Sequence, residues 1–112
     1  MGLFNENEQI YSCKLCNGEF LEKSYQHEFK VCNSCFAILG AHVSSMLKLI
    51  PEYQEKANSS SSPVEKIEYL SAMLELLYKY KILYVNNDIH AINQDIDKLI
   101  RDVIDAISEA KL

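Results

Sequence analysis

The chain has little glycine and little proline, three of one and two of the other in 112 residues. The glycines, Gly2, Gly18 and Gly40, lie far apart. Phosphate-cradling loops need glycines close together, so a nucleotide-binding loop is excluded. A nucleophile elbow and a His-Glu-x-x-His motif are absent too, and no catalytic constellation remains to suggest an enzyme. Bases are outnumbered, 11 against 16 acids, for a formal net charge of −5. Residues 1–35 hold five acids and three bases and no basic stripe. Phosphate contacts require such a stripe, so nucleic-acid binding is disfavoured. No apolar run approaches the length of a membrane span. Met1 to Gln9 is polar and acidic and lacks the apolar core of a signal peptide. Gly2 follows Met1, but Glu6 stands where N-myristoylation wants Ser or Thr. A cytoplasmic protein with no membrane partner is expected. An apolar fraction of 48% excludes wholesale disorder.

What is present is concentrated in four cysteines. They form two pairs, Cys13-Lys14-Leu15-Cys16 and Cys32-Asn33-Ser34-Cys35, with fifteen residues between. Four thiolates at this spacing can close a tetrahedron around one ion. In a reducing compartment paired CxxC motifs read as metal ligands before disulfides. One structural Zn²⁺ per chain, held by Cys13, Cys16, Cys32 and Cys35, is expected. A catalytic zinc keeps an open position, and four cysteines leave none. A thiol redox switch is the alternative use of the same residues. Deaminase chemistry is excluded, because His27-Glu28 lacks the required spacing and proline.

The segments around the cysteines suggest an arrangement. Asn17-Gly18 supplies the left-handed backbone of a knuckle. Phe20, Tyr25, Phe29 and Val31 suit a short β-hairpin. Cys35 leads into Phe36, Leu39, Val43, Met46, Leu47 and Ile50, a helical stripe. Asn33 or Ser34 is the expected N-cap of that helix, and Pro51 is expected to end or kink it. Knuckle, hairpin, then knuckle on a helix start is a treble-clef-like zinc module. The expected fold is mainly α: this module over residues 1–57, a serine-rich linker over 58–63, and an antiparallel helical hairpin over 64–112.

Within the hairpin, Ser62-Pro63-Val64-Glu65 reads as a capping box with Pro at the first helical position. The second helix has an apolar arc of about 200° that includes Tyr69, Tyr78, Tyr80 and Tyr84. A third helix, capped by Asn87 or Asp88, is expected to carry the stripe Ile89, Ile92, Ile96, Leu99, Ile100, Val103, Ile104 and Ile107. One neighbour covers about half of a 200° arc. The first helix or a second copy must cover the rest, and a homodimer is expected.

Three sets of residues have a bland reading that outweighs a special one. His27, His42 and His90 are scattered, with no second ligand at helical spacing. The isoleucine stripe is a core face before it is a coiled-coil seam. Tyr78-Lys79-Tyr80-Lys81 resembles a base-stacking strip, but Lys79 points away from the tyrosines on a helical wheel. Packing is the first use of these aromatics. A protein partner is the second, with Tyr69, Tyr78, Tyr80 and Tyr84 as anchors.

The stretch from Tyr11-Ser12-Cys13 to Cys35-Phe36-Ala37-Ile38-Leu39 resembles two bacterial treble-clef modules. One is the N-terminal zinc-binding domain of the ClpX unfoldase, and the other is the Gin-type anti-sigma factor of spore formers. The resemblance covers residues 11–45. The ClpX domain has a longer spacer, and Gin-type proteins lack the C-terminal hairpin. The resemblance implies a zinc knuckle used for protein contacts, often as a dimer, with the four cysteines as ligands. The function expected is therefore a non-catalytic protein-binding regulator, a small adaptor or inhibitor. A nucleic-acid-associated regulator and a thiol redox sensor are the alternatives.

Overall fold

The computed structural model describes residues 9–112. The tail considered above for a signal peptide and a lipid anchor lies outside the described residues, save Gln9. About two thirds of the chain is helical. The elements are β1 (Ile10–Ser12), β2 (Glu19–Leu21), β3 (Tyr25–Gln26), β4 (Val31–Cys32), α1 (Asn33–Ser59), α2 (Pro63–Leu83) and α3 (Ile96–Ala110). Two compact units divide at residues 41 and 42, inside α1. The expected boundary at residue 57 is therefore displaced. The serine-rich break is also shorter than 58–63, because α1 runs to Ser59 and α2 starts at Pro63.

The first unit has two small antiparallel ladders rather than one hairpin, β1 with β2 and β3 with β4. Phe29, expected in a strand, lies in the turn between β3 and β4. Pro51 does not end α1, which continues for two more turns. Between Asn33 and Ile50 the only full charge is Lys48. One 18-residue window of this helix averages a mean hydropathy of 1.3. By length and composition alone α1 could therefore cross a membrane, which corrects the reading that no segment reaches that length. Asn33, Ser34, Ser44 and Ser45 interrupt its apolar run and hid it.

In the second unit α2 is the central element. Ser62 caps it by accepting from the Glu65 amide at 3.4 Å, with Pro63 at the first helical position. The reciprocal half of the capping box is not made. Glu65 instead accepts from Ser60 and Tyr69. Leu70, Met73, Leu77 and Tyr80 are buried on α2, and Ile96, Ile100 and Val103 are buried on α3. Residues 42–59 of α1 pack on α2. Met46 and Ala57 are buried, Tyr53 stacks on Tyr69 at 6.4 Å, and His42 Nδ1 hydrogen-bonds the Tyr84 hydroxyl. Much of the apolar arc of α2 is thus buried within the chain, while Tyr78 on it stays exposed.

The third helix starts at Ile96, seven residues later than its stripe suggested. After Tyr84 the chain makes a single 3₁₀ turn, and Asp88 adopts a left-handed conformation with φ 59°. The Ile89 amide returns to the Tyr84 carbonyl at 2.9 Å, so no helix can propagate from Asn87 or Asp88. Asp95 is the real cap, accepting from the Lys98 amide. Ile89 is 1% exposed yet non-helical, so the seam from Ile89 to Val103 is broken. Tyr80 holds this connection, its hydroxyl accepting from the Ala91 and Ile92 amides at 3.0 and 3.2 Å. Removing that oxygen strands two amides. Tyr80→Phe should lower stability by about 1–3 kcal/mol in urea unfolding, while Tyr78→Phe should leave the midpoint unchanged.

Candidate metal centre

The first cysteine pair sits in the loop of the β1–β2 hairpin, whose register is Ile10↔Leu21, Tyr11↔Phe20 and Ser12↔Glu19. The Cys13 amide donates to the Gly18 carbonyl and the Asn17 amide to the Cys13 carbonyl, both at 2.9 Å. This tight turn needs a left-handed residue, and Asn17 supplies it with φ 60°. Gly18 has ordinary φ, so its role is room rather than freedom. A Cβ there would stand 2.8 Å from the Phe20 ring and 3.4 Å from Cys16 Sγ.

The second pair straddles the junction of β4 and α1. Lys30, at φ 58°, turns the chain into β4, and Cys32 pairs with Tyr25. Neither Asn33 nor Ser34 caps α1. Cys32 Sγ does so, accepting from the Cys35 amide at 3.5 Å. Asn33 is used sideways, accepting from Gln26 at 2.7 Å and donating to the Lys23 carbonyl at 3.0 Å. The two knuckles are tied by the Lys14 amide on the Lys30 carbonyl at 2.9 Å.

All four sulfurs lie within 4.8 Å of one another, with Cys16 and Cys32 at 3.9 Å. Four sulfurs around an ion at about 2.3 Å stand roughly 3.8 Å apart, whereas a disulfide bond is about 2.05 Å long. The cysteines are free thiols. Soft thiolate donors in this number fit a tetrahedral metal ion. Cys13 and Cys32 are buried, Cys35 is half-buried and Cys16 is exposed.

The thiols are not equivalent. Burial works to raise the pKa of Cys13, but the amides of Cys16, Cys32 and Leu15 together outweigh it and lower it to about 6. Cys13 is therefore a ready thiolate at neutral pH. Burial pushes the Cys35 thiol up, reinforced by its neighbouring sulfurs. Its proton must leave when a metal binds.

No histidine joins the cluster of potential ligands. His27 packs edge-on against Tyr11 and Tyr25, which stack at 4.8 Å. His42 and His90 lie in the other unit. Of the four tyrosines expected as partner anchors, Tyr80 and Tyr84 are 2% and 3% exposed. They serve the interior, which removes them from any docking surface. Tyr69 is half-buried against Tyr53, and Tyr78 is 40% exposed. Sequence reasoning missed Tyr25, whose hydroxyl donates to the Ser12 carbonyl beside the first knuckle. It also missed Lys30, since no residue type announces a left-handed lysine. Comparison with protein-family models, curated proteins and solved structures finds no match.

Because protons compete with metal for these thiols, loading should weaken as pH falls, and more steeply below about 6, where Cys13 also takes up a proton. A chelator titration at pH 8 and at pH 5.5 checks this. Equal metal retention at both would contradict the four-thiolate site.

Proposed function

We propose that this chain is a non-catalytic, zinc-containing protein-binding regulator, a small adaptor or inhibitor that occupies another protein. The observation that carries the reading is the closed donor set. Four chain sulfurs fill the positions of a tetrahedral ion and leave none for a substrate. On this reading Zn²⁺ stabilises a treble-clef-like module in a segment with a small core, as it does in domains that unfold without metal. Four free thiols suit the reducing cytoplasm.

A protein target is supported by the large apolar side chains that the helices expose. Val64, Leu47 and Ile82 are 68%, 61% and 61% exposed. Tyr78 is the aromatic of the original four most available as an anchor. One observation favours a second reading, a thiol redox sensor. Cys16 is exposed while two of its fellow ligands are buried, so an oxidant can reach one sulfur first.

Metal analysis of the purified protein should give one zinc per chain. Cys13→Ser or Cys35→Ser should unfold residues 10–35 while α2 and α3 keep their helical signal. A metal-free preparation with an ordered N-terminal unit would overturn the zinc reading. For the regulator itself, affinity capture from the native cell should recover a protein target that rebinds when both are pure. Tyr78→Ala should weaken that complex by roughly 2 kcal/mol. Turnover abolished by a single polar substitution, or tight binding to duplex DNA with no protein target, would sink it.

A further inference from the structure

α1 runs from one compact unit into the other, and its two parts are held differently. Residues 42–59 belong to the second unit. There Met46 and Ala57 are buried, His42 bonds Tyr84, Tyr53 stacks on Tyr69, and Lys56 pairs with Glu52 at 3.2 Å. Residues 33–41 belong to the first unit. In that stretch Leu39 alone is buried. It has no charged residue, so no ion pair along the helix supports it. Its partners lie around the cysteines. Cys32 Sγ accepts from the Cys35 amide, Asn33 meets Gln26 and the Lys23 carbonyl, and Phe36 stacks on Phe29 at 6.0 Å. These contacts are only as firm as the cysteine unit itself, whose interior is small.

Gly40 stands just before the boundary between the two parts. Nothing local requires a glycine there. No described glycine has a positive φ, and a Cβ on Gly40 would meet nothing among the described residues beyond its own turn of helix within 4 Å. Glycine is, after proline, the residue least favourable in a helix interior, because it gives up the most backbone freedom. Its place matters because helices propagate cooperatively. The part from His42 onward is already anchored and needs no new nucleus. It can extend toward the N-terminus one residue at a time, and the second residue it meets is Gly40. Beyond Leu39 and Ala37, the remaining residues Ile38, Phe36, Cys35, Ser34 and Asn33 are middling or weak helix formers. Extension from the second unit therefore stops at Gly40 unless the far end is fixed.

We infer that α1 is a metal-gated helix with Gly40 as its stop. When Zn²⁺ is held by the four cysteines, Cys32 and Cys35 are pinned at the first turn, and the helix runs unbroken from Asn33 through Gly40. When the metal is removed, residues 33–40 leave the helix and the rest of α1 stays. Phe36 and Ile38, 38% and 54% exposed, ride on the gated stretch, so their display in helical register follows metal loading. The inference rests on the zinc reading and adds a loaded and an unloaded state to the proposed regulator.

The test uses the full chain, isotope-labelled and with its thiols kept reduced. Backbone Cα chemical shifts are read residue by residue with Zn²⁺ bound and again after a chelator has removed it. Removal should take more than half of the helical shift from Phe36, Ala37, Ile38 and Leu39 and leave Met46 to Ala57 unchanged. Returning Zn²⁺ should restore it. Gly40→Ala should match the parent when loaded. After chelation it should keep most of the helical shift that the parent loses over the same four residues, which a glycine with no part in the gate would not produce. Helical shifts at those residues that survive chelation in the parent would overturn the inference. So would a loss that runs on through Ala57, or a chelated Gly40→Ala that melts like the parent. A chain that takes up Zn²⁺ but shows no change in α1 sinks the gate and leaves the zinc reading intact. A chain that takes up no Zn²⁺ sinks the zinc reading itself.

Discussion

Convergence of four sulfurs is the constraint on which the N-terminal unit depends. Between residues 9 and 41 the buried apolar side chains are Cys13, Tyr25, Val31, Cys32 and Leu39. Two of the five are cysteines of the cluster itself. Two- and three-residue strands cannot hold a fold by ladder hydrogen bonds alone, and so small a core supplies little burial energy. Local geometry is accordingly spent on aiming sulfur. Asn17 and Lys30 accept left-handed backbone so that each knuckle turns inward. The amides of Leu15, Cys16 and Cys35 then point at Cys13 and Cys32. These donors favour thiolate over thiol, so the site is electrostatically prepared for a cation before one arrives.

The second unit is built by the opposite economy, with a large apolar interior and few polar demands on it. No buried side-chain nitrogen or oxygen among the described residues lacks a partner. The tyrosines make this possible. Tyr80 puts its ring in the core and its oxygen under two amides of the α2–α3 connection. Tyr84 caps the end of α2 with its amide and meets His42 with its hydroxyl. An amphipathic ring with one polar tip suits a core that must also fix an irregular segment. Ile89 completes the device by burying an aliphatic chain where no helix exists.

Residue type announced the cysteine cluster, the three helices and the start of α2, because each depends on local chemistry. CxxC spacing is a ligand signature in itself, and Ser62-Pro63 is a capping signal that tertiary structure had no reason to override. The errors arose where a periodic pattern was taken for a continuous element. Ile89 and Ile92 keep step with Ile96 and Leu99, yet the first two lie in a non-helical connection, Ile89 buried and Ile92 half-buried. Hydrophobic spacing reports burial, and only hydrogen bonding tells a helix from a folded connection. Of the four tyrosines, Tyr80 and Tyr84 failed as surface anchors for a related reason. A helical wheel places all of them on one arc, but it cannot say which part of that arc the chain covers for itself. Pro51 shows the limit of a breaker rule, since a helix held by packing on both sides of a proline can run through it.

The two units answer the same problem of stability in different ways. All four cysteines lie in the first unit, where the buried apolar set is small. A cation shared by converging thiolates can contribute folding energy without demanding apolar surface, so a cysteine cluster has most to offer where burial offers least. In the second unit α2 and α3 bury their own apolar faces, and a cross-link there would add little that packing does not already supply.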